Sequence, residues 1–224
     1  MRFTTAVVPT CNDATSIVTT LEHLHASPLI RDIFVIDAAS TDGTPSLVAE
    51  FRNSHKARVH LLVRGVRVPR DVLARAGYEL ALCIGAERIV QILPAAASPI
   101  ETLWRMETLL DEGVQLAIAS SHCAGDSLPT SLLSIGTLEE LARSFASMMW
   151  DAKLVDQVLD GGIGDTSAQT EMVIAALRCG GRVRDVPASS AASAASIRLA
   201  GLHRREGLAV WQSRHAAEHH TVLG

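Results

Sequence analysis

From Thr5 to Ser120 the sequence switches back and forth between two hydrophobic periods, and that rhythm restricts the fold more than any other feature. Five short apolar runs, Thr5–Pro9, Asp32–Asp37 (DIFVID), Arg58–Val63 (RVHLLV), Arg88–Leu93 (RIVQIL) and Gln115–Ser120 (QLAIAS), have the length of strands, and the first two have the near-continuous apolarity of strands buried on both faces. Between them lie stretches with helical spacing. The first covers 14–26, with Ile17, Leu21 and Leu24 on one face, Asn12-Asp13 as a cap and Pro28 as the stop. The others are Thr44–Phe51, 69–84 and Glu101–Glu112. Strands and helices in turn predict βαβ units: an α/β fold with a mostly parallel central sheet flanked by helices.

Past Ser120 the rhythm loosens. Ser121–Gly136 is rich in Ser, Gly and Pro and reads as a loop, Leu138–Met149 as a helix, and Asp160–Asp165 (DGGIGD) as a flexible turn. Glu171–Cys179 is expected to be helical up to Gly180-Gly181, ahead of a short strand over Arg182–Pro187. Ala188–Ser196 (ASSAASAAS) is a small-residue connection, and 197–220 a basic, partly helical tail. The expected organisation is a domain over 1–190, with 191–224 as linker and tail.

Composition narrows the function. At 48% hydrophobic and 20% charged, the 224 residues can bury a sizeable core. An aromatic content of 4% argues against stacking platforms for single-stranded nucleic acid, and a formal charge of -4 opposes an electrostatic DNA binder. No nucleic-acid partner is expected. No segment approaches the roughly 20 apolar residues of a membrane span, and the opening MRFTTAVVPT lacks signal-peptide features. The expectation is a cytoplasmic protein, at most peripheral to a membrane. Cys11, Cys83, Cys123 and Cys179 are isolated, which fits buried thiols in a reducing compartment and no zinc site.

Ligands of open α/β sheets sit beyond the carboxyl ends of the strands. The polar groups there are Pro9, Thr10, Cys11, Asn12 and Asp13 after the first strand, and Asp37 with Ser40-Thr41-Asp42-Gly43-Thr44 after the second. After the fourth comes Pro94-Ala95-Ala96-Ala97-Ser98-Pro99. AVVPTCNDATSIVTTLEHL followed by IRDIFVIDAASTDGTPSLVAEF resembles the opening of family 2 glycosyltransferases, which begin VIPTYNE and continue VVDDGSTDGT. EMVIAALRCGGRVRDVPA resembles the E-L-x-x-R-A-x-x-x-G-x-R-V-x-E-V-P stretch of their polyprenyl-phosphate mannose synthase branch. The resemblance implies the GT-A fold, a nucleotide-diphospho-sugar donor and transfer of its sugar.

It also implies roles, position by position. Pro9, Thr10, Asn12 and Asp13 would wall the nucleotide base, and the Asp37 carboxylate would accept a hydrogen bond from a ring N–H of uracil or guanine. Turn and cap chemistry is the alternative for Asp37 and the preferred reading of Asp42, because Ser-Thr-Asp-Gly-Thr is a good helix entry by itself. Cys11 stands where the family has Tyr, which removes a stacking surface, and Ala38 where it has a second Asp. Arg64, Arg67 and Arg70 lie in RGVRVPRD, where the family has G-x-x-x-A-R-N before a helix. Arg70 takes the arginine place of that motif beside the nucleotide. Arg64 and Arg67 can hold a diphosphate at the mouth of a parallel sheet, or form a solvated basic edge.

The largest departure follows the fourth strand. The family presents Asp-x-Asp there, two carboxylates holding Mg2+ or Mn2+ against the diphosphate. This chain reads Leu93-Pro94-Ala95-Ala96-Ala97-Ser98-Pro99, with no acid. No cofactor is required by the sequence; either ion would need other ligands, such as Glu101, which reads better as the start of a helix. Three readings stay open: metal-free catalysis with arginines offsetting the leaving-group charge, a pseudoenzyme that keeps the nucleotide pocket for binding, and replacement of native acids by mutation.

An inverting transferase needs a base for the acceptor hydroxyl. Glu171, matching the acid of the Glu-Leu segment, and Asp165, in the GGIGD turn, are the candidates. In the tail, His203 and Arg204 are candidates for closing the diphosphate pocket, by analogy with other GT-A enzymes; His215 and His219 share a helix face but form an incomplete metal pair. The expected partners are a UDP- or GDP-linked donor and a small-molecule or lipid-phosphate acceptor, with a homodimer left open.

Overall fold

The computed structural model describes residues 3–94, 99–120, 145–160 and 169–187. Their elements follow the predicted alternation closely. β1 (Thr4–Thr10), α1 (Ile17–Ala26), β2 (Ile30–Ala38), α2 (Thr44–His55), β3 (Val59–Arg64), α3 (Arg70–Cys83), β4 (Arg88–Ile92), α4 (Ile100–Asp111) and β5 (Leu116–Ser120) come first. β6 (Phe145–Asp151), α5 (Ala152–Asp160), α6 (Gln169–Arg178) and β7 (Val183–Pro187) complete the chain. One seven-stranded sheet runs in the order β3-β2-β1-β4-β6-β5-β7. Every pairing is parallel except those of β6, which runs antiparallel to both β4 and β5.

Strand β6 corrects one expectation. The helical spacing read over Leu138–Met149 does not hold from Phe145 onward, where the chain is extended. Ala and Met favour a helix locally, but the slot between β4 and β5 imposes a period of two. Met148 and Trp150 enter the core on one face of the sheet and Met149 the core on the other. Helix α5 was not anticipated. It begins directly after β6 and buries Leu154, Val155 and Val158. The segments 121–136, 161–168 (which holds most of the expected turn) and 188–224 lie outside the described residues.

Two apolar clusters sandwich the sheet. One joins α1, α2 and α4 to it through Leu21, Leu24, Val48, Phe51 and Met106; the other joins α3, α5 and α6 through Ala74, Tyr78, Leu154, Val155 and Val173. Helix α3 lies close on the strands because Gly77 has no side chain: a Cβ there would overlap a γ-methyl of Val7 on β1. The hydroxyl of fully buried Tyr78 donates to Gln91 of β4, and burial pushes its pKa well up. At the opposite end of the sheet from the candidate rim, fully buried Arg88 pairs with Glu107 and, at 2.6 Å, with Asp111 of α4. The thiols also depart from expectation. Cys11 is half-buried, and Cys83 and Cys179 are exposed because they sit at helix ends, outside the packed faces.

Candidate functional site

The parallel register brings Thr10 opposite Asp37, so the last residues of β1 and β2 share one rim. The loops that follow are laced together. Asn12 Oδ1 accepts from the Thr41 amide at 2.9 Å, and the Asn12 amide donates to Ser40 Oγ at 2.8 Å. The Asp13 amide donates to Thr44 Oγ1 at 3.0 Å, whose own hydroxyl donates to Asp42 Oδ1 at 2.6 Å. Asp42 Oδ1 also takes the Thr44 amide, and its Oδ2 reaches across to the Ala14 amide at 2.9 Å. The Thr44 hydroxyl, followed by the Ala14 amide, holds the Asp42 carboxyl below its ordinary range. The preferred turn reading of Asp42 stands, and the same carboxylate also ties the first loop to the second.

Two non-glycine residues in this lacing have left-handed backbones, Asn12 (φ 55) and Ala39 (φ 51). Asn tolerates that region; Ala does not, and its presence there stores on the order of 1 kcal/mol. The surrounding hydrogen bonds hold it in place.

Asp37 is fully buried, and its carboxylate is occupied from within. Oδ1 accepts from Thr10 Oγ1 (3.0 Å) and Ser40 Oγ (2.5 Å), and Oδ2 from the Ser40 amide (2.9 Å). These contacts brace the rim, and Oδ2 has one described donor of the two it can accept. Asp13, also buried, takes the Cys11 amide on Oδ2 and an Arg70 nitrogen on Oδ1 at 2.8 Å. Arg70, at the start of α3, reaches the Pro9 and Cys11 carbonyls as well, at 3.4 and 3.3 Å. Its guanidinium thus binds the β1 loop to α3. The alternating donors and carboxylates of these three loops leave the wall rigid and its own charges matched.

The remaining cations at this rim are different. Arg64 ends β3 beside Ala38 of β2 and has no polar partner among the described residues. Arg67 is exposed, with Nε 3.2 Å from Cys11 Sγ, a contact that raises its pKa. Helix α1 adds a tie to the loop after β4, where the Thr20 hydroxyl shares its proton between the Ser16 carbonyl at 2.9 Å and the Pro94 carbonyl at 3.2 Å. Sequence reasoning placed Ser40 and Thr44 among the polar groups of this rim without assigning their contacts, and it missed Thr20.

Of the catalytic candidates, Glu171 falls in the first turn of α6; Asp165, His203 and Arg204 lie outside the described residues. Helix α6 leads to β7, whose Val183 pairs with Leu116 at the start of β5, so the α6 N-terminus is its end nearer the rim. The residues at the Asp-x-Asp position, and the described residues around it, do not fit a divalent ion. Segment 93–99 carries no carboxylate, imidazole or thiol, and no group of three or more His, Cys, Asp or Glu among the described residues could hold a metal.

Comparison with known proteins places this rim in context. Residues 5–69, which carry the β1 and β2 loops and Arg64 and Arg67, match the family described as glycosyl transferase family 2. A polyprenol monophosphomannose synthase from Mycolicibacterium smegmatis is 28% identical over 123 residues, 54% of this chain and 46% of that protein. The chain thus spans about half the length of the curated relative it matches. Among solved structures, a mannosyltransferase from Pyrobaculum calidifontis in complex with GDP-Man and Mn2+ superposes at a TM-score of 0.60 and 21% identity, over 82% of this chain and 54% of that one. TarS of S. aureus in complex with UDP-GlcNAc superposes at 0.60 and 18% identity, over 83% and 56%. The architecture is the GT-A fold, and the resemblance read from the sequence stands. No helix among the described residues is long and apolar enough to cross a membrane.

Proposed function

We propose that this chain carries a nucleotide-sugar glycosyltransferase site at the shared rim of β1, β2 and β3, and that it works without a divalent ion. The observation that carries the reading is the laced wall of Pro9–Asp13 and Ser40–Thr44, lying within the stretch that matches glycosyl transferase family 2. A base seated on this wall meets a surface that needs no reorganisation, because each of its carboxylates is already hydrogen-bonded.

In the proposed reaction an acceptor oxygen attacks the anomeric carbon as the bond to the nucleotide diphosphate breaks, with inversion. Charge grows on the departing diphosphate, and guanidinium groups at the rim, Arg64 foremost, offset it. Beyond the described residues, His203 and Arg204 are assigned to the same task. The acceptor is a small molecule or a lipid phosphate. Its proton goes to Glu171 or Asp165, of which Glu171 sits at the end of α6 nearer the rim. The absence of acids in segment 93–99 also favours a second reading, a nucleotide-binding module without turnover.

Isothermal titration with UDP, GDP and their sugars, in Mn2+ and then in EDTA, tests the proposal. Donor hydrolysis or transfer that persists in EDTA is the expected result. Activity restored only by Mn2+ overturns metal independence, tight binding without turnover selects the binding module, and no nucleotide binding removes both readings.

A further inference from the structure

Among the described residues, segments 9–13, 37–44 and 64–70, which border the rim, contain no Phe, Tyr, Trp or His. Bases held by proteins gain much of their affinity from stacking on a flat partner. With those aromatic rings absent, the flat side chain left to stack on a base is the guanidinium of arginine. Three arginines stand at this rim, and their contacts separate them. Arg70 has its terminal nitrogens committed to Pro9, Cys11 and Asp13. Arg64 has nothing among the described residues to fix its plane.

Arg67 is anchored by one edge. Its Nε–H points at Cys11 Sγ, and an Nε–H bond lies in the plane of the guanidinium. The contact therefore fixes one edge of the plate against the loop after β1 and leaves its two faces and both terminal nitrogens without a described partner. The anchor is itself held: Cys11 packs with Val68 and Leu80 against Phe34, Ile36, Ala38 and Leu73, and its sulfur lies 3.9 Å from the Ala38 carbonyl. A bulky aromatic at position 11 would fill the space that the small thiol leaves to Arg67.

We infer that Arg67 is the stacking plate of this pocket, its guanidinium lying face-on against the nucleobase while Cys11 holds its edge. The inference rests on the nucleotide-sugar reading and deepens it. It moves Arg67 from the diphosphate, where its charge alone would place it, to the base, and leaves the phosphates to Arg64. The plate is specificity-neutral among bases, since every base has a π-face, so discrimination falls to the hydrogen-bonding groups of the wall.

The test separates flatness from charge. Affinities for UDP and GDP are measured for the unmodified chain, Arg67→Ala and Arg67→Lys, with inorganic pyrophosphate as a phosphate-only competitor. Both variants should weaken the better nucleotide by about tenfold or more, and pyrophosphate should compete equally well in all three. Arg67→Lys binding as tightly as the unmodified chain, or pyrophosphate affinity falling in step with nucleotide affinity, overturns the assignment and makes Arg67 a phosphate cation. Unchanged nucleotide affinity in Arg67→Ala removes it from the pocket. A chain that binds neither nucleotide before mutation fails one level earlier, at the glycosyltransferase reading itself. Arg67 is exposed, so the variants are expected to melt with the unmodified protein.

Discussion

Asp42 shows how a single carboxylate serves two loops at once. Its folded pKa lies below the ordinary value of 3.8, first because of the Thr44 hydroxyl and then the Ala14 amide. A depressed folded pKa means the contribution is complete above 3.8 and fades as the pH falls through the lower folded value. The expected result is that the Ala14 and Thr44 amide resonances titrate together in acid, below that of an unfolded Asp, and that Asp42→Asn removes the step. Flat amide shifts from about pH 4 to pH 2 would contradict it. Asp42 could be read from Ser-Thr-Asp-Gly-Thr alone, because an Asx turn is local chemistry. Asp37 could not. Its enclosure depends on Thr10 standing beside it, a neighbour set by strand register across 27 positions, and the sequence shows only a carboxylate at a strand end. The resemblance assigns it to the base; the geometry adds the contacts with Thr10 and Ser40 that shape the wall.

Close packing of a helix on a strand is decided by the smallest residue between them, as at the α3–β1 contact. Gly77→Ala would drive a methyl into the Val7 side chain, which is β-branched, fully buried and short of alternative rotamers. The expected cost is about 1–3 kcal/mol by urea denaturation, partly recovered in the double variant with Val7→Ala. Additive effects would mean the two residues do not press on each other. At this scale the sequence was informative wherever an element runs parallel and buried, since continuous apolar runs flanked by caps admit few other readings. It misled at β6. The Met-Met-Trp run there has no polar alternation, and its choice of strand over helix is made by β4 and β5 on either side. Helix α5 is short, and a nine-residue amphipathic stretch gives little signal apart from the core it covers.

Seen as a whole, the sheet keeps its fully buried arginine, Arg88, and its candidate chemistry at opposite ends. Arg88 starts β4, level with Thr4 of β1 and Asp151 of β6, and Thr10, Asp37 and Arg64 end their strands at the other edge. Arg88→Met leaves Glu107 buried without its cation. It should destabilise the fold by about 3–5 kcal/mol while the folded fraction binds nucleotide with unchanged Kd. A matching loss of affinity at temperatures where the variant is fully folded would show that the two ends are coupled.

The reversed direction of β6 has a consequence of its own. Because Ser120 and Phe145 are paired neighbours, the chain departs from the sheet and re-enters it at adjoining points on the edge where donor sugars are expected. Lengthening or replacing what lies between leaves every strand in place, and each doubling of such an excursion adds only about 0.6 kcal/mol of closure entropy. Descendants of this scaffold can therefore exchange that segment wholesale by insertion and deletion, while the hydrogen-bonded loops after β1 and β2 are inherited intact.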